Sequence, residues 1–403
     1  MKKFSQLLIN VAAPIRPGLT IAIIAFAALS ASAPVAAQTP QQIVPRPPGI
    51  ASSSYILIDA KTGHVIIEEN ADLPLPPASL TKIMTAYIAE VQIDNGIMKL
   101  TDEAHVSEKA WATQGSKTFL DINSKVSIAD LLSGIIIQSG NDASVAMAEH
   151  IAGSEDAFAD MMNQHAQMLG MTNSSFMNSS GLDSEDSYNI MTARDLATLA
   201  RATIINHPSH YALYSQREFT YNGISQANRN TLLFRDRNVD GMKTGWTTAA
   251  GFCLVGSAER DGVRLISVVM GAASEEARVV ETQKLFTYGF RYFETHKLYD
   301  AGEVVSNERI WSGKQNTLNL GIQDEVHITI PRGRSGDLNA RLKVAENIQA
   351  AIEMGQVMGT VDIVLDDEVI YSSNVIALEA VERGGIFKRL MDFLTLFFTS
   401  LFS

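Results

Sequence analysis

The sequence contains a single cysteine, Cys253, so no disulfide can form within the chain. Cys253 lies in the apolar run Gly251–Val255, which predicts a buried thiol that behaves as a small hydrophobic group. Basic residues are also in deficit, because 32 Lys and Arg stand against 44 Asp and Glu, for a net charge of -12. Binding to nucleic acid needs many Lys and Arg to neutralise phosphates, so the composition argues against that partner.

Metal-binding patterns are missing as well. The chain has eight histidines, and none of them belongs to a His-Glu-x-x-His sequence. His207 and His210 lie on either side of Pro208, a spacing that indicates a loop and not a zinc-binding helix. The sequence therefore predicts no metal site and no cofactor.

Apolar runs long enough to span a membrane are absent, but the N-terminus carries a shorter one. Lys2 and Lys3 precede the apolar segment Leu19–Leu29, and the small residues Val35–Ala37 follow it. This order predicts a secretory signal peptide over residues 1–37, and hence a periplasmic protein. An uncleaved membrane anchor is the alternative, although the segment is shorter than the roughly 20 residues that a span needs.

The chain of 403 residues is long enough for two or three domains. Residues 38–48 are rich in Pro and Gln and are predicted to be a linker. Residues 49–295 are predicted to form an α+β domain in which helices flank an antiparallel sheet. Its predicted elements are a hairpin of strands 54–58 and 64–68, helices starting at 79 and covering 128–152, 154–168 and 192–205, buried strands at 241–257 and 263–272, and a closing helix at 274–292.

The C-terminal part has a different pattern. Residues 296–383 alternate apolar and polar side chains in segments separated by Gly and Asp clusters, which predicts a small all-β domain. Residues 384–403 have helical periodicity, with a narrow polar stripe and a broad apolar face that includes five phenylalanines. Such a helix is typical of the membrane interface, and docking on the protein's own core is the alternative.

A serine and a lysine three residues apart form the first candidate catalytic pair. Ser79 and Lys82 follow Pro76 and Pro77, which favour a helix that begins near Ser79. Residues three apart share a helix face, so the Lys82 amine is expected beside the Ser79 hydroxyl. A neutral lysine can take the serine proton if burial and a nearby positive charge, here Lys243, lower its pKa.

Two further motifs contain candidate substrate-binding groups. Ser139 and Asn141 lie two residues apart in a predicted turn, where a hydroxyl can relay a proton and an amide can bind a carbonyl. Lys243, Thr244 and Gly245 combine a positive charge for a carboxylate, a hydroxyl donor and a residue that lets a substrate backbone approach closely. A second Lys-Thr-Gly sequence, Lys61–Gly63, is assigned to the predicted hairpin turn.

Taken together and in this order, the three motifs resemble those of the serine penicillin-binding and β-lactamase superfamily. The resemblance extends to the low-molecular-mass D-alanyl-D-alanine carboxypeptidases through four further stretches, 181–183, 228–230, 240–247 and 286–294. That family also has a signal peptide, a C-terminal β domain and an amphipathic terminal helix on the outer face of the cytoplasmic membrane. The resemblance therefore covers almost the whole chain.

The resemblance implies a role for each candidate residue. Ser79 would be the nucleophile, Lys82 its base and Ser139 a proton relay, whereas Asn141 would bind a substrate amide. The substrate's terminal carboxylate would be held by Lys243 and Thr244, in the motif completed by Gly245, and by Arg278, for which a surface ion pair is the alternative. The backbone N–H groups of Ser79 and Trp246 would form the oxyanion hole, although many relatives have histidine in place of Trp246. The implied partners are peptidoglycan stem peptides ending in D-Ala-D-Ala, and β-lactams as covalent inhibitors.

The sequence leaves one alternative function open and argues against two others. D,D-endopeptidase action or weak β-lactamase action on the same site remains open. Class A β-lactamases have Asp where Gly140 stands and carry a deacylating glutamate, whereas residues 173–178 contain no carboxylate. A non-catalytic wall-binding protein would not need to retain Ser79, Lys82 and Lys243 together.

Overall fold

The computed structural model describes residues 4–10, 44–183 and 188–402. Most of the expected signal peptide (residues 1–37) and linker (residues 38–48) lies outside the described residues. The chain divides into two compact units, Pro45–Phe293 and a second unit that includes Glu294–Ser403. The first strand, β1 (Phe4–Asn10), pairs with a strand of the second unit.

The first unit is an α+β domain, as the sequence predicts. Its elements are β2 (Ser54–Asp59), β3 (Val65–Glu69), α1 (Lys82–Asp94), β4 (Glu103–His105), α2 (Glu108–Ala112), β5 (Lys125–Ser127), α3 (Ile128–Ser133), α4 (Asn141–Ala152), α5 (Glu155–Met168), α6 (Ala193–Asn206), α7 (Pro208–Tyr211), β6 (Glu218–Tyr221), β7 (Ile224–Ala227), β8 (Val239–Thr247), β9 (Gly251–Arg260), β10 (Val263–Ala272) and α8 (Glu275–Tyr292). The main sheet is antiparallel, with the strand order β3-β2-β10-β9-β8. Helices α6 and α8 pack against it.

Local sequence explains where the helices begin. Ser154, Thr192 and Ser274 each accept a hydrogen bond from a backbone N–H three residues later, at the starts of α5, α6 and α8. Such caps satisfy donors that have no partner within the helix.

Helix α1 is the buried helix that carries the first motif, because every residue from Lys82 to Glu90 is buried. It is the central helix of the domain's core, and it carries the lysine of the first motif.

Three predictions of secondary structure need correction. The predicted helix over 128–152 is interrupted: α3 is followed by a π-helical turn, Gly134–Gln138, and by Ser139 in the left-handed conformation (φ 67°) before α4 begins. Ser79 lies in a 3-10 turn, Ala78–Thr81, and the α-helix begins at Lys82. The predicted strand over 241–257 is two strands, β8 and β9.

The second unit is mainly β-structure, as predicted for this region. Its elements are β11 (Phe293–Tyr299), β12 (Val304–Trp311), β13 (Thr317–Ile322), β14 (Val326–Pro331), β15 (Asn339–Ala345), β16 (Ile348–Gln349), β17 (Val357–Leu365), β18 (Glu368–Ala377) and the terminal helix α9 (Ile386–Phe402). Seven strands form one sheet in the order β1-β15-β17-β18-β13-β12-β16. Alternate residues of β15, namely Ala340, Leu342 and Val344, enter a separate apolar core. Among the described residues, no helix is long and apolar enough to cross a membrane.

Candidate active site

The Ser79 hydroxyl and the Lys82 amine are in direct contact. Lys82 is only 1% exposed, and its Nζ lies 3.0 Å from Ser79 Oγ, 2.7 Å from Asn141 Oδ1 and 2.6 Å from the carbonyl oxygen of Ser180. The amide and carbonyl oxygens can only accept hydrogen bonds. A neutral amine has two N–H groups for these oxygens and one lone pair, which can accept the Ser79 proton. An ammonium would donate to all three oxygens, whereas a neutral amine can keep the same contacts and take the Ser79 proton.

Burial lowers the pKa of Lys82 to about 7, although the negative charges of Asp142 and Glu155 raise it. An ammonium group loses hydration when it is buried, so the neutral form gains relative stability. The prediction that Lys243 also contributes to this shift is wrong, because burial is what lowers the pKa of Lys82. Repulsion between the two lysines instead contributes at Lys243.

A loop that the sequence did not connect with the site holds the serine turn and the lysine. Gly181 has a left-handed φ of 75°, and a Cβ there would lie 1.9 Å from the carbonyl oxygen of Ala78, next to Ser79. Only glycine fits so close to that turn. Asn178 Oδ1 accepts hydrogen bonds from the N–H groups of Ser180 (3.2 Å) and Gly181 (2.7 Å). The loop is thereby fixed with the Ser180 carbonyl directed at Lys82.

Ser139 and Asn141 follow the π-helical turn and are both buried. The left-handed conformation of Ser139 turns the chain before α4, so this residue reaches the candidate cavity while Asn141 reaches Lys82. Asn141 Nδ2 donates to the carbonyl oxygen of Gln114 at 2.6 Å. Because an amide nitrogen carries two N–H groups, one remains for a substrate carbonyl.

Strand β8 carries the Lys-Thr-Gly motif at the edge of the sheet, next to the Ser79 turn. A Cβ on Gly245 would lie 2.8 Å from the carbonyl oxygen of Pro77 and 3.3 Å from Ala78 Cβ. The close approach that Gly245 permits is thus between β8 and the serine turn, whereas the sequence analysis assigned it to the substrate backbone. Lys243 and Thr244 are buried on the same strand.

The second Lys-Thr-Gly sequence forms the turn between β2 and β3, as predicted. Asp59 Oδ1 accepts a hydrogen bond from the Thr62 N–H at 2.8 Å, and Gly63 has a left-handed φ of 73°. These contacts are typical of a tight turn and explain the motif without a role in binding.

Positive charges surround Lys243. Burial lowers the pKa of Lys243 well below its usual value, and the charges of Lys82, Arg278 and Arg229 lower it further. A carboxylate entering this environment would raise that pKa, because opposite charge stabilises the ammonium form.

Arg278 is buried, with 5% of its surface exposed, so the expected alternative of a plain surface ion pair is wrong. The guanidinium donates to Glu275 Oε1 (2.9 Å) and to the carbonyl oxygen of Gly245 (3.2 Å), and it lies over the ring of Phe252. Its Nε–H is buried without a hydrogen-bond partner among the described residues. Because Arg278 also lines the cavity, its guanidinium charge is suited to attract an anion there.

These groups surround a cavity of about 230 Å³. Six of the nine predicted site residues line it, and the other three, Lys82, Asn141 and Lys243, are buried beside them. Trp246 is 56% exposed at the rim, where its ring packs on that of Phe252 at 5.8 Å between centroids. The lining residues are Ser79, Ser116, Ser139, Arg229, Thr244, Gly245, Trp246, Phe252, Glu275 and Arg278.

An α+β domain in which a Ser-x-x-Lys pair faces a Lys-Thr-Gly edge strand places this protein in the class of serine peptidases that bind penicillin. Comparisons with known proteins identify the family within this class. Residues 41–274 match the D-alanyl-D-alanine carboxypeptidase family of peptidases, and residues 293–383 match the C-terminal domain of penicillin-binding protein 5. The chain belongs to the D-alanyl-D-alanine carboxypeptidase family.

The chain is similar to D-alanyl-D-alanine carboxypeptidase DacC of Escherichia coli, with 43% identity over 87% of this chain and 89% of the relative. It is also similar to the crystal structure of penicillin-binding protein 5 from Haemophilus influenzae, with 41% identity, a TM-score of 0.80, and coverage of 84% of this chain and 99% of that one. Penicillin-binding protein D2 from Listeria monocytogenes, solved in its ampicillin-bound form, matches 60% of this chain and 98% of its own, with 30% identity and a TM-score of 0.56.

Proposed function

We propose that this protein is a serine-type D-Ala-D-Ala carboxypeptidase that removes the terminal D-alanine from peptidoglycan stem peptides through an acyl-enzyme. The observation that carries the proposal is the contact of Ser79 Oγ with Lys82 Nζ, 3.0 Å away, because the pKa of Lys82 is lowered to about 7. A base with a pKa near neutrality combines a large neutral fraction with adequate basicity. The names of the relatives support the substrate class.

Acylation begins when the Ser79 proton passes to Lys82 as Oγ bonds to the carbonyl carbon of the penultimate residue. The tetrahedral intermediate collapses, the peptide C–N bond breaks, and the leaving D-alanine nitrogen takes up the proton that Lys82 accepted, relayed through Ser139. Water then hydrolyses the acyl-ester and restores the Ser79 hydroxyl. The backbone N–H groups of Ser79 and Trp246 stabilise the oxyanion.

The substrate's terminal carboxylate binds among the cationic groups of the cavity. Arg278 offers the charge of its guanidinium, Lys243 an amine and Thr244 a hydroxyl. Asn141 keeps one N–H for the substrate amide. In this arrangement the scissile bond next to the carboxylate lies at Ser79.

β-Lactams acylate the same serine and are released slowly. The ampicillin complex of the Listeria relative supports their use of this cavity. Rapid β-lactamase turnover is not proposed, since a Cβ on Gly140 would lie 2.1 Å from Thr118 Oγ1, and the aspartate of class A enzymes does not fit there.

The function is tested by incubating the protein with a muropeptide pentapeptide and analysing the products by mass spectrometry. Release of one D-alanine to give the tetrapeptide is expected, and Ser79→Ala should abolish both this release and labelling by a fluorescent penicillin while the circular dichroism spectrum stays unchanged. Labelling that persists in Ser79→Ala would show that another residue is acylated. Cleavage of cross-linked dimers in preference to the pentapeptide would favour an endopeptidase.

We also propose that α9 holds the protein on the outer face of the cytoplasmic membrane, in the periplasm. The helix contacts the β-rich unit through its polar stripe: Asp392, 7% exposed, accepts a hydrogen bond from the Ser312 N–H at 2.7 Å, and Lys388 Nζ donates to Asn316 Oδ1 at 2.5 Å. Its apolar side chains are left exposed, including Phe387, Leu390, Met391, Phe393, Leu394, Phe397 and Phe398. A helix docked on its own core would have the opposite orientation, so these contacts support an interfacial role.

Sedimentation with phospholipid vesicles tests the anchor. Burying several of these side chains, at roughly 1.5–3 kcal/mol for each one fully buried, should bring the full-length chain down with the vesicles. The protein should stay in the supernatant, with penicillin labelling intact, when residues 384–403 are deleted or when Phe393, Phe397 and Phe398 are replaced by serine. The control variant Thr395→Ser, on the polar stripe, should still sediment. A truncated protein that stays bound, or that loses labelling, would contradict the proposal.

A further inference from the structure

Asp142 is a buried carboxylate that none of the steps above uses. It follows Asn141 in the first turn of α4 and is 1% exposed. Its Oδ1 accepts a hydrogen bond from the Thr118 N–H (2.8 Å), and its Oδ2 accepts from the N–H groups of Phe119 (2.9 Å) and Leu120 (3.2 Å). In the described part of the chain it belongs to no salt bridge. Backbone N–H groups and the helix N-terminus compensate its charge.

These three N–H groups belong to a loop, residues 114–120, that forms part of the cavity wall. Ser116 lines the cavity, and its carbonyl oxygen accepts from the Asn141 N–H at 2.7 Å. The Gln114 carbonyl accepts from Asn141 Nδ2 at 2.6 Å. The loop therefore orients the amide whose Oδ1 accepts from Lys82 at 2.7 Å.

The loop also fits closely against the chain that precedes α4. A Cβ on Gly134 would lie 2.3 Å from Thr118 Oγ1, and one on Gly140 would lie 2.1 Å from the same atom. Thr118 is completely buried between these two glycines. Such a fit tolerates little displacement, so a change in the hydrogen bonds of Asp142 should be transmitted to Asn141.

We infer that Asp142 is a positioning residue for acylation: it anchors the 114–120 loop, which orients Asn141, which in turn orients Lys82. The inference rests on the proposed acylation of Ser79. Asp142 also acts through its charge. The charged groups around Lys82 are Asp142 from α4, Glu155 from α5 and Lys243 from β8, and the two carboxylates raise the pKa of Lys82 against the effect of burial.

The Asp142→Asn variant tests the anchoring of the loop and the charge of Asp142 apart from any effect on the stability of the fold. The amide has a single acceptor oxygen, so it cannot accept from all three N–H groups. We expect penicillin acylation to slow by about 10- to 100-fold through misplacement of the base. Amide exchange at Thr118, Phe119 and Leu120 should become faster. The acid limb of the rate–pH profile should move to lower pH, because a charge that raises the pKa of Lys82 is gone. Asp142→Glu keeps the charge and should slow acylation with the acid limb in place.

Asp195→Asn is the matched control. Asp195 is also buried in the first turn of a helix, α6, where its Oδ2 accepts from the Asn173 N–H (3.1 Å) and from Ser174 Oγ (2.7 Å). It should lower stability and leave the acid limb unchanged. A parent-like rate and acid limb in Asp142→Asn, or an equal shift in Asp195→Asn, would overturn the inference. If Asp142→Asn does not fold, a parent-like rate in Asp142→Glu overturns it.

The same experiment separates failure of the inference from failure of the proposed function. Mass spectrometry of the labelled parent protein locates the acylated residue. If that residue is not Ser79, the acylation proposal fails. Unchanged exchange at the three loop amides in Asp142→Asn refutes the anchoring role without reference to activity.

Discussion

Replacing Lys82 by Arg keeps a cation at the site and removes a base. The pKa of Lys82 is lowered to about 7, so about nine-tenths of the molecules carry a neutral amine at pH 8. An arginine keeps its proton far above neutral pH and would be neutral in fewer than about one molecule in 10⁴ at pH 8. If acylation needs a neutral base at this position, Lys82→Arg should slow it by about 10⁴-fold. The larger guanidinium must also fit where Nζ has three contacts within 3.0 Å.

The assay is the second-order rate of labelling by a fluorescent penicillin at pH 8, followed to completion on a denaturing gel. Ser79→Ala sets the background. Lys284→Arg is a matched control, because Lys284 forms an ion pair with Glu281 on α8 and is not in the cavity lining. It should label at the parent rate. If Lys82→Arg labels within about tenfold of the parent, the proton is taken by another group and the assignment of Lys82 is refuted.

Two further predictions concern pH and backbone conformation. The acylation rate of the parent should fall as the pH is lowered through about 7, because Lys82 gains a proton there; a flat profile from pH 5 to 8 in rapid-mixing experiments would contradict this. Gly181→Ala should destabilise the protein by about 2 to 4 kcal/mol in urea unfolding, since it combines a left-handed conformation with a contact of 1.9 Å to the carbonyl oxygen of Ala78. Gly153→Ala, with φ 81° and open space around its Cβ, should lose only about 1 kcal/mol, and equal losses would show that the contact does not matter.

Local spacing was sufficient to predict the Ser79–Lys82 pair. Residues three apart meet whether the turn is 3-10 or α-helical, so the contact is correct although the helix begins later than expected. The convergence of Ser139 and Lys243 on the same cavity is different, because it depends on tertiary packing. Family resemblance predicted it, and no local pattern could have done so.

Backbone groups account for most of what the sequence did not reveal. The Ser180 carbonyl accepts from Lys82 and the Gln114 carbonyl orients Asn141, yet every residue type has a carbonyl, so neither position carries a distinguishing side chain. The motif at Ser139 was assigned to a turn, but the helical periodicity predicted over 128–152 did not show the break, for a related reason. The apolar residues of the π-helical turn, such as Ile135 and Ile137, remain buried, so the hydrophobic pattern continues across the break. Gly181 belongs to one of the stretches that carry the resemblance. The physical reason for glycine there appears only in the structure, where a Cβ would lie 1.9 Å from the carbonyl oxygen of Ala78.

The cavity is cationic within an acidic protein, and this contrast bears on the choice between carboxypeptidase and endopeptidase action. In the empty site, burial and the charges of Lys82, Arg278 and Arg229 all disfavour a proton on Lys243. A terminal carboxylate next to the scissile bond reverses that balance and also lies near the guanidinium of Arg278, which lines the cavity. A peptide bond without a free carboxylate beside it gives Lys243 no such counter-charge, and it leaves Arg278 with Glu275 alone. Because the buried Lys243 amine gains its proton only beside an opposite charge, the electrostatics of this cavity favour removal of a residue whose carboxylate is free.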